Sequence, residues 1–100
     1  MKIEKALKQI IRTGKITYGT KETLEEIKKG NAKIVIIAQN TPIEIENKIK
    51  EEAQKEDTPI RRYRGTSKEL GETCKRPHLT TTVAIKDTGS IDKKEIEQKN

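Results

Sequence analysis

The residues a small hydrolase would need occur once each: Cys74 is the only cysteine in the 100 residues and His78 the only histidine. Cys74-x-x-x-His78 is a spacing that pairs a thiolate with an imidazole on a helix, but Arg76 and Pro77 interrupt it and no third group is placed to orient the base. Two ligands of this kind are too few for zinc, and one cysteine excludes an intramolecular disulfide. Cys74 is expected to be a small packing residue. Gly65-Thr66-Ser67 and Gly71 lack the strand–glycine–helix spacing of a phosphate loop or a dinucleotide fingerprint. Glu51, Glu52 and Glu56 read as the solvated face of a helix. The sequence predicts no catalytic residues, no metal and no cofactor.

Binding chemistry is better represented, at three strand-to-helix junctions. Gly19-Thr20-Lys21 stands where a strand enters a helix, so free backbone N–H groups and the positive end of the helix dipole lie beside a lysine. Asn40 ends the next strand and both donates and accepts hydrogen bonds. Gly65 through Glu69 occupies the corresponding position after a third strand. In open α/β sheets ligands sit outside the carboxyl ends of strands. Lys21 suits a guanine edge or a phosphate, and Glu69 can accept from a base amine. The plain alternatives are a turn role for Asn40 and a helix cap for Glu69.

Hydrophobic spacing supplies the elements that must position these groups. Ile3, Ala6, Leu7, Ile10 and Ile11 make one face of a helix that Gly14 ends. Lys15 to Tyr18 is a strand rich in β-formers. A second helix opens at Gly19-Thr20, turns Leu24 and Ile27 inward and closes at Gly30-Asn31. Lys33 to Ala38 is an apolar run expected to be a strand covered on both faces. Thr41-Pro42-Ile43-Glu44 predicts a capped start to a third helix, with Thr41 as cap, Pro42 in the first turn and Glu44 completing a capping box. In that helix Ile45, Ile49 and Ala53 form the buried stripe, with Glu and Lys outside. Ile60 to Tyr63 is a third strand, and Thr66 with Glu69 predicts a capping box for a short helix through Leu70. Leu79, Thr81, Val83 and Ile85 alternate as in a strand. From Asp87 the chain turns polar. Strands alternating with helices predict an α/β/α sandwich around a small, mixed or mostly parallel, four-stranded sheet. The expected organisation is one domain over residues 1–91 and a weakly ordered polar tail over 92–100.

The charge balance narrows the partners. There are 22 Lys+Arg and 16 Asp+Glu, for a net charge of +6. It is polarised along the chain: +4 over residues 1–30, −2 over 31–60, +5 over 61–86 and −1 over 87–100. Two basic segments folded onto one face would attract a polyanion. Tyr18 and Tyr63 are the only aromatics, so base stacking on aromatic platforms is not the expected mode, and phosphates and groove edges are. No apolar run approaches the ~20 residues of a membrane span, and the N-terminus lacks the apolar core of a signal peptide. A soluble intracellular domain is expected.

These segments together resemble a known family. Thr13-Gly14-Lys15-Ile16-Thr17-Tyr18-Gly19-Thr20-Lys21-Glu22-Thr23-Leu24 is similar to the start of the ribosomal L30e family. So is Lys28-Lys29-Gly30-Asn31-Ala32-Lys33-Ile34-Val35-Ile36-Ile37-Ala38-Gln39-Asn40-Thr41-Pro42. Tyr63-Arg64-Gly65-Thr66-Ser67-Lys68-Glu69-Leu70-Gly71 with Arg76-Pro77-His78 looks like its archaeal branch, and Ala84 to Ser90 resembles its last strand and turn. The likeness runs over roughly residues 3–91 in order. The run Glu72-Thr73-Cys74-Lys75 departs from the small residues and glycine common there.

The resemblance implies an α/β/α sandwich and a large-subunit ribosomal protein, within the wider group including L7Ae that binds kink-turn RNA. It implies a cytoplasmic, ribosome-associated protein, a monomer outside the ribosome, with rRNA and other ribosomal proteins as partners. The RNA-binding residues it implies are Gly19, Thr20, Lys21 and Glu22; Asn40; Ser67, Lys68, Glu69, Leu70 and Gly71; and Lys75, Arg76 and His78. Among these, Leu70 is expected to pack on a flipped or stacked base. Two rival readings are a paralogue serving a guide-RNA particle and a basic protein-interaction module.

Overall fold

A computed structural model describes residues 3–75 and 79–89. The elements are α1 (Ile3–Thr13), β1 (Lys15–Tyr18), α2 (Thr20–Lys28), β2 (Ile34–Ile37), α3 (Ile43–Lys55), β3 (Ile60–Arg62), α4 (Ser67–Thr73) and β4 (Thr82–Asp87). The strands form one mixed sheet in the order β1-β4-β2-β3. β2 and β3 are parallel, and β4 runs antiparallel to both β1 and β2.

The pleat divides the core in two. Ile34, Ile36, Val83 and Ile85 point to one face, where Ala6, Leu7 and Ile10 of α1 and Leu70 of α4 cover them. Val35 and Ile37 point to the other, against Ile27 of α2 and Ile49 of α3. Alternation along one strand therefore feeds two helical layers, which makes the expected α/β/α sandwich. Leu7, Ile10, Ile27 and Ile49 are fully buried, each contributing about 1.5–3 kcal/mol of transfer free energy. Cys74 packs with the first cluster at 3% exposure.

Local signals are realised in detail at two helix ends. α2 closes in a Schellman turn: Gly30, at φ 73°, donates to Ile27 O and Asn31 N donates to Glu26 O. α4 opens on the expected capping box, Glu69 N donating to Thr66 Oγ1 at 3.3 Å and Thr66 N to Glu69 Oε1 at 3.1 Å.

Other expectations are corrected. Pro42 occupies the cap position of α3 and no side chain caps that helix. Thr41 instead turns its hydroxyl back to donate to Ala38 O at 2.8 Å and Thr81 O at 3.3 Å, so the Thr41–Glu44 box does not form. Glu46 is not on an outer face: it is 5% exposed and pairs with Lys50 at 3.3 Å and with Arg62 of β3. α4 continues three residues past Leu70 to Thr73. β4 starts at Thr82 rather than Leu79, and Thr82 through Ile85 are all buried. It lies between β1 and β2 under helices on both faces, so alternation is not required of it. The tail over 92–100 falls outside the described residues.

Candidate nucleic-acid interface

Strand direction decides where the three junctions meet. Tyr18 pairs with Val83, and Ile37 pairs with Thr82 and Arg62. The carboxyl ends of β1, β2 and β3 and the amino end of β4 therefore lie at one end of the sheet, and α2, α3 and α4 all start there.

Hydrogen bonds lock the junctions together. Gly19 N donates to Thr82 O at 3.0 Å, and the Thr82 hydroxyl donates to Thr20 Oγ1 at 3.4 Å. Ala38 N donates to Thr81 O at 2.7 Å, Gln39 N to Gly65 O at 2.8 Å and Thr80 N to Ser67 O at 3.1 Å. Asn40 Oδ1 accepts from Ser67 N at 2.8 Å, while its Nδ2 donates to Ser67 Oγ at 3.4 Å. Ser67 N is one of the unpaired donors in the first turn of α4, so Asn40 ties the end of β2 to the start of α4.

Gly19 has φ 100°, and a Cβ there would lie 2.5 Å from Glu22 Oε2. The position combines a left-handed backbone with the Glu22 carboxylate folded over it, so a side chain is strained there. Gly65 lies against the Tyr63 ring, 2.6 Å from where its Cβ would be. The Tyr63 hydroxyl shares a 2.7 Å hydrogen bond with Thr73 Oγ1. Burial pushes the Tyr63 phenol above its usual range, against the Thr73 hydrogen bond; the charges of Glu4 and Glu69 and the nearby Cys74 add to the rise. Beneath the α4 junction the support is thus a glycine on a ring whose hydroxyl holds the far end of the same helix.

The residues singled out from sequence separate into groups. Gly19, Thr20, Lys21 and Glu22 at the start of α2, Asn40 after β2, and Ser67, Lys68 and Glu69 at the start of α4 come to the same end of the molecule. Lys21, Glu22, Asn40, Lys68 and Glu69 are exposed there. Ser67, 5% exposed, acts through Asn40. Glu69 takes both N–H and O–H of Thr66 on one oxygen, Oε1, so it is a cap. Leu70 is fully buried among Ala6, Leu7 and Ile36, and Gly71 is buried beside it; contact between Leu70 and a base is corrected to a core role that holds α4 down. Lys75 is exposed at φ 57° beyond the far end of α4, about 10 Å of helix away from Ser67. Arg76 and His78 lie outside the described residues.

Leu79 lies on the surface, against the expectation from its sequence. It is 70% exposed and directly precedes Thr80, whose N–H reaches Ser67, so it flanks the junctions. Its place in an alternating run argued for burial, and only the position where β4 begins reverses that. Arg64 and Gln39 are also exposed beside Gly65; the basic run Arg61-Arg62-x-Arg64 is the sequence signal for Arg64. Among the described residues no group of three or more His, Cys, Asp or Glu is placed to hold a metal ion, and no helix is long and apolar enough to cross a membrane.

Residues 1–95 match the family described as ribosomal protein L7Ae/L30e/S12e/Gadd45. A large ribosomal subunit protein eL30 from Aeropyrum pernix is 40% identical over 90 residues, covering 90% of each chain. The protein of that name from Methanopyrus kandleri is 38% identical over 90 residues, 90% of this chain and 83% of its own. Among solved structures, a Giardia lamblia 15.5kD RNA binding protein superposes with a TM-score of 0.76 at 25% identity, covering 94% of this chain and 80% of that one. A Bacillus halodurans protein of unknown function shares the fold, with a TM-score of 0.77 at 17% identity over 86% of this chain and 85% of its own.

Proposed function

This chain belongs to the ribosomal protein L7Ae/L30e/S12e/Gadd45 family, and from that premise we propose that it is a large-subunit ribosomal protein that binds rRNA and stabilises a bent, kink-turn-like segment. The observation that carries this reading is the meeting of three junctions at one end of the sheet. They are held by the Gly19–Thr82, Gln39–Gly65 and Asn40–Ser67 hydrogen bonds.

A sharply bent RNA crowds the phosphates of two helical arms. Unbound, it opens to relieve the repulsion; a protein that meets only the bent form shifts the population toward it. The first turn of α2 offers backbone N–H groups and Lys21 to a phosphate. Lys68 and Arg64 add charge on the α4 side. Asn40 engages Ser67 through both ends of its amide, and its exposed Nδ2 keeps a second N–H to donate to RNA. Leu79 supplies an apolar surface for a base turned out of its stack. The rigidity of the junctions matters because a preordered surface loses little entropy on binding. No bond is made or broken in this function.

The test is a gel shift with a kink-turn RNA and a plain duplex of matched length, followed by sedimentation with large ribosomal subunits after a high-salt wash. Strong preference for the kink-turn and retention on the subunits support the reading. Equal affinity for the two RNAs removes the bent-RNA specificity, and loss from washed subunits removes the ribosomal assignment. The protein-interaction alternative predicts binding that survives nuclease treatment.

A further inference from the structure

Lys75 is a strained point beside the candidate interface. Its φ of 57° is left-handed, a conformation that disfavours a side chain, and it directly follows the cap residue of α4, where glycine is favoured. Strain of this kind persists only where the surroundings hold it, and it gathers at binding sites. The surroundings here are specific. Lys75 N donates to Glu72 O and Cys74 N to Leu70 O, both at 3.0 Å. Cys74 is packed in the core cluster with Ala6, Leu7 and Leu70. Thr73 is buried, and its hydroxyl shares the 2.7 Å hydrogen bond with Tyr63. Lys75 itself is exposed and forms no ion pair among the described residues. We infer that the Tyr63 hydroxyl is a positioning group for RNA binding: through Thr73 it holds the last turn of α4, so that the left-handed turn presents Lys75 to a phosphate about two helical turns from Lys68.

Tyr63 suits this role because it is fixed at its other end. Its N–H donates to Ile37 O at 2.8 Å, so its backbone continues the sheet. Gly65 lies on its ring, and Gly65 O accepts from Gln39 N at 2.8 Å. One side chain therefore touches both the loop that leads into α4 and the last residue of that helix. α4 has only seven residues, too few to be stable without tertiary support, so its axis is set by what it is tied to. Asn40 ties the first turn and Tyr63 the last. A phenylalanine would bury the same ring; what the hydroxyl adds is the direction of that one bond.

This role rests on the RNA-binding reading above, and the experiment keeps the two apart. The full chain is titrated with a labelled kink-turn RNA and with a plain duplex across a range of salt, while amide hydrogen exchange is followed on the free protein. Lys75→Gln is expected to lower the salt slope by about 1. Tyr63→Phe should do the same, with affinity down about three- to tenfold. Tyr63→Phe/Lys75→Gln should lose no more than Lys75→Gln alone, because the two residues act as one unit. Thr73→Ser, which keeps the hydroxyl, should retain the parent slope. Exchange at the Cys74 and Lys75 amides should quicken in Tyr63→Phe while the Gln39 amide is unchanged. Thermal melting verifies that each variant is folded. Tyr63→Phe alone leaves the Thr73 hydroxyl buried without its partner, so Tyr63→Phe/Thr73→Val, which removes both groups, is the second variant and should show the same fall in slope. A folded variant with a lower melting temperature and the parent slope makes the bond structural only and overturns the inference. So do losses that multiply when Tyr63→Phe and Lys75→Gln are combined. Equal affinity of the parent for the two RNAs removes the bent-RNA reading, with the coupling of Tyr63 to Lys75 still read from the salt slope on either one. A parent that binds neither RNA overturns both.

Discussion

Asn40 and Ser67, 27 residues apart in sequence, are joined by two hydrogen bonds, with Ser67 N 2.8 Å from Asn40 Oδ1 and Asn40 Nδ2 3.4 Å from Ser67 Oγ. The link fixes the asparagine amide, holds it at the end of the sheet where the three junctions meet and satisfies a donor at the start of α4. Asn40→Ala is expected to cost about 1 kcal/mol, as for a lost helix cap. Asn40→Asp keeps the acceptor and so most of the stability, but places a negative charge toward RNA. Chemical denaturation and a gel shift on both variants check this. Equal RNA affinity in the Asn40→Asp variant and the parent protein would remove Asn40 from the interface.

Leu70 and Leu79 should behave oppositely. Leu70→Ala empties a fully buried site and is expected to cost about 2–5 kcal/mol. Leu79→Ser, at a 70% exposed position, is expected to change stability by less than about 0.5 kcal/mol and to weaken RNA binding. Denaturation midpoints read the first effect and RNA affinity the second.

Gly19→Ala puts a side chain where φ is 100° and Glu22 Oε2 would be 2.5 Å away. The carboxylate can swing aside, but the backbone strain stays, at about 1–2 kcal/mol. A lower melting temperature is expected. RNA affinity should also fall, because relief of the strain moves the first turn of α2.

Lys75 holds a left-handed conformation just past α4, at φ 57°, the place where glycine is favoured. Lys75→Gly is expected to raise stability by about 0.5–1 kcal/mol. If Lys75 neutralises a phosphate, the same variant lowers the salt slope of RNA binding by about 1. A gain in stability together with a shallower slope is the result that supports both statements.

Glu46 gives the fold an acid dependence. Burial pushes its carboxyl up, but hydrogen bonds from Lys50 and Arg62 and their positive charges outweigh this and hold it below the usual carboxylate range. A depressed folded value means the stabilisation is fully present above the ordinary carboxylate range and is lost as pH falls through the folded value. Glu46→Gln should therefore be less stable than the parent at neutral pH, by about 1 kcal/mol given the exposed partners. The difference should narrow as the solution is acidified. Melting curves across that range test the sign; a gap that widens in acid contradicts it.

Much of this architecture was legible because it depends on neighbours a few residues away. The Thr66–Glu69 capping box, the Gly30-Asn31 helix end, the β1 strand and the apolar run of β2 are all written within a turn or two of chain. So is the strand–helix alternation that gives an α/β/α sandwich. The three junctions were also visible as places where charge, amide and glycine meet a helix start. The chain by itself could not rank two leucines of equal hydrophobicity: Leu70 is covered because α1 packs over α4, and Leu79 is bare because β4 begins three residues later. It could not show that Glu46 faces Arg62 across elements, or that the Thr41 hydroxyl has a carbonyl of the β4 segment to reach for. Those outcomes are contacts between segments tens of residues apart. They were decided when β4 inserted between β1 and β2 and brought the ends of all four strands into register.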